Sequence, residues 1–203
     1  MKKYRLFVLI AIAILALTVC SAAFAAPEPP ADELLTIGAY EAAPAKEVKG
    51  FVWAAIAVCV AMILPGIGSA LGVGMAGRAA AGVSAEDPEK GGSCLIFELL
   101  PATQGLYGFV IAMFIAVFSG ILSGEFLSLS AEAGLSFFYA SLPIGIVGLV
   151  SAYFQSRVCC AGIGIVAKQG NGGMGITFAI MVELYAILAL IVSILMVVNV
   201  PVA

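Results

Sequence analysis

The chain has 203 residues, 63% of them hydrophobic, with 9 basic and 12 acidic side chains, no histidine and a mean hydropathy of +1.17. Soluble domains are roughly half apolar and a quarter charged, so a water-soluble fold is excluded. The missing histidine removes the commonest general base and the commonest metal ligand, which argues against hydrolase triads and zinc centres and for a non-catalytic protein.

Residues 1–25 read as a secretory leader and signal peptide. Lys2, Lys3 and Arg5 form a basic start, Leu6 to Val19 is apolar, and Ala23-Phe24-Ala25 fits the small-x-small rule, so cleavage is expected after Ala25. The competing readings are a retained fifth helix and a lipoprotein modified at Cys20, which Val19 disfavours. Residues 26–49 contain Pro27, Pro29, Pro30 and Pro44 among Ala and Glu and cannot bury enough apolar surface to fold alone. They are expected to form an exposed linker outside the cytoplasm.

From residue 50 onward the apolar runs are long enough for four membrane helices, each needing about 20 residues. They are predicted near 51–77, 93–122, 136–167 and 174–200. The fold class expected is an all-α membrane protein: two duplicated hairpins, 50–122 and 136–203, joined by an outer loop at 123–135. The segments at 79–92 and 168–173 are polar and rich in glycine and suit the hairpin turns. An exported linker makes both turns cytoplasmic and puts the 123–135 loop and the C-terminus outside, in a multi-pass protein of the cell membrane. Arg78, Lys90 and Lys168 on the inner side, against an outer loop without Lys or Arg, agree with the positive-inside rule, although Lys46 and Lys49 outside make the bias modest.

The duplication is visible in the sequence, where Gly72-Val73-Gly74-Met75-Ala76-Gly77-Arg78 matches Gly162-Ile163-Gly164-Ile165-Val166-Ala167-Lys168 ninety residues later. Small residues recur at helical spacing on the first span (Ala61, Pro65, Gly68, Gly72, Ala76) and on the third (Gly145, Gly148, Ala152, Gln155, Cys159, Gly162), letting backbones approach closely in lipid. Two equivalent stripes favour an inner wall built from many copies over packing inside one monomer. The five cysteines, Cys20, Cys59, Cys94, Cys159 and Cys160, show no metal-site spacing and read as packing residues.

Glu183 lies deep in the last span, where an ionisable group costs several kcal/mol unless partnered and marks a functional site by default. At about 1.5 Å per residue, Glu183 is about 15 Å from the turn at Gly173, while Gln104 and Gln155 lie about 18 to 20 Å from theirs. The three therefore share one layer. Leu100, Thr103, Gln104 and Tyr107 follow an i, i+3, i+4, i+7 pattern and share a helix face, and Pro101 is expected to free a backbone carbonyl near Leu100. One carboxylate, two amides, a hydroxyl, a carbonyl and a phenol are hard oxygen ligands for a monovalent cation such as Na+. A divalent ion would normally ask for more carboxylates.

The segments LLPATQGLYGFVIA (99–112), GIGSALGVGMAGRAAAG (66–82), FQSRVCCAGIGIVAKQG (154–170) and IMVELYAILALIVSIL (180–195) resemble the four-helix proteolipid (K or c) subunit of V-type and A/V-type rotary ATPases. The resemblance covers about 50–200. It implies a homo-oligomeric ring in the lipid bilayer, turned by ATP hydrolysis in a soluble head through a central stalk subunit, past a stator membrane subunit with an essential arginine. It implies as ion ligands the backbone carbonyl of Leu100 and the side chains of Thr103, Gln104, Gln155 and Glu183, with Tyr107 hydrogen-bonded to the carboxylate. The transported ion is then Na+, with H+ at the same site as the alternative; no nucleic-acid partner is expected. Two features depart from the family pattern: the leader with its linker, and Glu98, which is expected to point away from the ion-site face, near enough to the cytoplasmic interface to be hydrated or paired, with Arg157 as a candidate partner and a second ion carrier as the alternative reading. Outside this family, a passive oligomeric pore or scaffold would require Glu183 to be dispensable, and a small secondary transporter is disfavoured by the lack of a second charged site.

Overall fold

The structure, a computed structural model, describes residues 45–123 and 129–201. The expected signal peptide, Cys20, nearly all of the linker and part of the outer loop lie outside the described residues. Among the described residues four helical stretches are long and apolar enough to cross a membrane. The first is α1 (Ala45–Glu86). The second is built from α2 (Gly91–Leu99), a 3-10 turn at Leu100–Ala102 and α3 (Thr103–Phe118). The third and fourth are α4 (Ala131–Gln169) and α5 (Gly173–Val198).

Helix ends differ from the sequence expectation for local reasons. α1 runs nine residues past 77 to Glu86, because Ala79-Ala80-Ala81 are strong helix formers and Gly82 alone does not stop a helix. The turn then shrinks to Asp87, whose carboxylate accepts the Glu89 N–H, and a 3-10 turn at Pro88–Lys90. α4 starts at Ala131, five residues early, because the Ser130 hydroxyl accepts the Ala133 N–H as an N-cap. α3 stops at Phe118 instead of 122: Gly120 adopts a left-handed φ of 76° and Leu122 N–H reaches back to the Ala116 carbonyl.

Lys90 Nζ lies 3.1 Å from Asp87 and donates to the Ala167 carbonyl in the last turn of α4 at 3.0 Å. Both hairpin turns therefore lie at one end of the bundle, as two parallel copies of a hairpin require. At the other end, the start of α1 meets the start of α4 where Gly50 and Gly134 bring two backbones into contact.

The two small-residue stripes face each other inside this one chain. A methyl group on Gly68 would come within 2.8 Å of the Leu149 carbonyl oxygen, one on Gly72 within 3.2 Å of that of Ala152, and one on Gly148 within 3.0 Å of Pro65. The contact between α1 and α4 within one chain thus uses both stripes. Phe97 of α2 is fully buried in a cage formed with Gly162, Gly172 and Gly175 of the second hairpin. Two apolar clusters result. One, around Ala76, Cys94, Phe97, Cys159 and Ala179, lies toward the turns; the other, around Ala57, Ile111, Phe137, Ile144 and Val197, lies toward the opposite end. Between them is a polar layer.

Candidate ion-binding site

The polar layer is set by the break in the second span. Pro101 is buried and has no N–H to give, so the α-helix tightens there into one 3-10 turn before α3 begins. The sequence expectation of a free carbonyl at Leu100 is corrected here: Leu100 O accepts from the Thr103 N–H and, at 2.8 Å, from the Thr103 hydroxyl.

From α3, Gln104 and Tyr107 reach across to the second hairpin. Gln104 Nε2 donates to Gln155 Oε1 at 2.7 Å, and Tyr107 OH donates to Glu183 Oε1 at 2.7 Å. Gln155 Nε2 in turn donates to the Ala179 carbonyl at 3.1 Å and to Glu183 Oε2 at 3.4 Å. Thr103 lies close enough to interact with the Tyr107 phenol. Four of the six sequence-predicted residues, Gln104, Tyr107, Gln155 and Glu183, are thus joined by hydrogen bonds, while Thr103 bonds to the Leu100 carbonyl one turn before Tyr107.

Burial decides what this group can do. Gln104 and Gln155 are fully buried, and Glu183 keeps 9% of its surface exposed. A carboxylate in such a setting is tolerated only when its oxygens find donors, and both Glu183 oxygens have one. One atom is left over: Gln104 Oε1 is buried and has no hydrogen-bond partner among the described residues. An unpaired amide oxygen in a dry layer costs about 1 to 3 kcal/mol, so the group is incomplete without something electropositive beside it.

The sequence reading missed Ser151, four residues before Gln155 on the same face of α4, whose hydroxyl donates to the Val182 carbonyl at 3.1 Å, next to Glu183. A serine in a small-residue helix carries no signal of such a role. The candidate Glu98–Arg157 pair is not formed. The Glu98 carboxylate lies against Gly77 of α1, Arg157 is exposed on α4, and among the described residues no ion pair joins them. The reason is direction across the bundle: α2 offers Glu98 to α1, not to α4, because Phe97 beside it is the residue turned toward the second hairpin.

Comparison with known proteins gives the same picture of duplication. The family model of the ATP synthase C subunit matches twice, over residues 56–115 and 138–196, one match for each hairpin. The V-type sodium ATPase subunit K of Enterococcus hirae is 50% identical over 151 residues, covering 74% of this chain and 93% of that protein. The A-type ATP synthase subunit K of Methanocaldococcus jannaschii is 39% identical over 154 residues, covering 75% of this chain and 63% of that protein.

Proposed function

The chain belongs to the ATP synthase C-subunit family, as a duplicated proteolipid of the V-type K kind and hence a non-catalytic, ion-translocating subunit, and on that premise we propose that copies of it form a membrane rotor ring carrying Na+ on Glu183. The observation that carries the reading is the buried group of Glu183, Gln155 and Gln104 with its one unpartnered amide oxygen. A monovalent cation at this layer would be held by Glu183, Gln155 and Gln104, with Tyr107 fixing the carboxylate; the Leu100 carbonyl and the Thr103 hydroxyl would complete the set once that hydroxyl turns from Leu100 to the ion. Both Glu183 oxygens already accept hydrogen bonds. Each keeps a lone pair for a cation, and the likeness to the V-type sodium ATPase subunit K favours Na+ over H+.

The mechanism follows from charge. Glu183 with its cation is neutral overall and can face lipid, while an empty carboxylate cannot. Rotation past a stator arginine would force the ion out into one aqueous path and admit another from the opposite side, and a central stalk would couple that rotation to ATP hydrolysis in the soluble head. The small exposure of Glu183 suits this role, since a carrier sealed inside the four helices could not meet the stator. With the neutral Gln104 of the first hairpin at the layer where the second has Glu183, each four-helix unit carries one ion.

In the same proposal residues 1–25 are a cleaved leader, 26–49 an exported linker whose last five residues already belong to α1, and the hairpin turns cytoplasmic. Intact-mass measurement should then give a mature chain starting at Ala26; a chain retaining Met1 would contradict the leader. For the ion, ATP hydrolysis by the intact complex should rise with millimolar Na+ at fixed pH. Hydrolysis indifferent to Na+ but coupled to proton uptake would assign H+ to the same carboxylate.

A further inference from the structure

We propose that Ser69 is a positioning residue for the ion site: from the first span it caps the helix that presents Thr103, Gln104 and Tyr107. The inference rests on the ion-site reading above.

A helix start leaves its first N–H groups without partners, and normally the N-cap side chain accepts the N–H of the second or third helical residue. Here the N-cap of α3 is Ala102, which has no side chain able to do so. The break at Pro101 has put a helix start in the middle of a membrane span, where no water replaces a missing cap. The third helical residue is Gly105, and its N–H donates at 2.7 Å to Ser69 Oγ of α1. Ser69 is buried and takes the place of the absent cap from another helix.

The surrounding contacts are close enough to make this a fixed docking. A methyl group on Gly105 would lie 3.1 Å from Ser69 Oγ and 3.8 Å from the Gly66 Cα, and one on Gly72 would lie 2.7 Å from Pro101 Cβ. Pro101, Gly105 and Gly108 form the face of the second span turned to α1. Thr103, Gln104 and Tyr107 project from a face about a third of a turn away. Any rotation of the start of α3 about its axis therefore moves Gln104 relative to Gln155 and Tyr107 relative to Glu183, and the Ser69 hydrogen bond opposes that rotation. The second hairpin supplies the contrast. Its last helix, α5, is unbroken through this layer and has no helix start to cap there.

The test uses rings of the full-length chain in membranes and measures Na+ protection of Glu183 against carbodiimide labelling. Ser69→Ala should raise the Na+ concentration for half-protection by about three- to tenfold, the factor of one hydrogen bond, with the labelling rate in the absence of Na+ unchanged within about twofold. Ser69→Thr, which keeps the hydroxyl, should stay near the parent. A midpoint for Ser69→Ala equal to the parent's, or a shift in Ser69→Thr as large as that in Ser69→Ala, would overturn the assignment. If Na+ gives the parental ring no protection, it is the Na+ reading that fails, and the same pair is judged by the pH midpoint of labelling, which Ser69→Ala alone should move. Should Ser69→Ala not assemble, amide exchange in the parental ring decides: the Gly105 amide should be as protected as its helical neighbours, and exchange at the rate of an open amide would overturn the proposal.

Discussion

The two hairpins descend from one pattern and are used differently. In the first, α1 places Pro65 where the repeat would put a polar residue, and the second span is broken at Pro101 so that an amide, a hydroxyl and a phenol leave α3 together. In the second, the ninety-residue step from Pro65 reaches Gln155, and the last span brings the carboxylate of Glu183. Neither hairpin holds a complete site. Gln104 and Tyr107 from one meet Gln155 and Glu183 from the other, so the duplication yields one charged group surrounded by neutral oxygens instead of two carboxylates repelling each other in one layer. Packing was kept in both copies while chemistry was divided.

That contrast can be broken at its packing side first, where the largest effects are expected. Gly72 and Gly162 are matched positions, and a side chain at either meets a neighbour: Pro101 and the Ala152 carbonyl for Gly72, the Phe97 ring for Gly162. Gly74 and Gly164 are matched as well and have nothing within 4 Å. Gly72→Val and Gly162→Val should each destabilise the fold by about 3 kcal/mol and lower the amount of protein in the membrane, while Gly74→Val and Gly164→Val accumulate normally. Quantifying the four variants in membranes checks this; a repeat in which only one of the two inner glycines matters would mean that the hairpins no longer pack alike.

The chemical side should give a graded answer. Gln155 links Gln104, the Ala179 carbonyl and Glu183, whereas Gln104 makes a single bond to Gln155. Gln155→Ile should therefore weaken Na+ binding by about 2 to 3 kcal/mol and Gln104→Leu by about 1 kcal/mol, counting each hydrogen bond lost or left unpaired. Binding of radioactive Na+ to assembled rings measures both, and a larger loss at Gln104 than at Gln155 would reverse the division between hairpins.

Much of this was legible in the sequence, because a membrane span announces itself by length and apolarity, and a lone carboxylate within one is conspicuous. Counting residues from the turns brings Gln104, Gln155 and Glu183 to one layer, and the i, i+3 step from Gln104 finds Tyr107. What stays hidden depends on which faces meet. The stripes on spans one and three could serve one chain or many, and the approach of Gly68 to Leu149 shows their use within one chain. Ser69 sits in a glycine-rich run where its hydroxyl has no periodic signature. The carbonyl expected to be free at Leu100 is taken by Thr103, a local bond that the proline signal alone does not reveal. Glu98 invites a partner on the third span because charges at similar depth attract, whereas its side chain is turned to Gly77.

The central claim is that one carboxylate, Glu183, carries the ion, and carbodiimide labelling of the intact ring with Na+ transport measured alongside tests it most directly. The reagent attacks a protonated carboxyl in an apolar setting, so the label should fall on Glu183, be slowed by millimolar Na+, and vanish in Glu183→Gln, a variant expected to assemble into rings that carry no Na+. Label concentrated on Glu98, or Na+ transport retained by Glu183→Gln, would contradict the account.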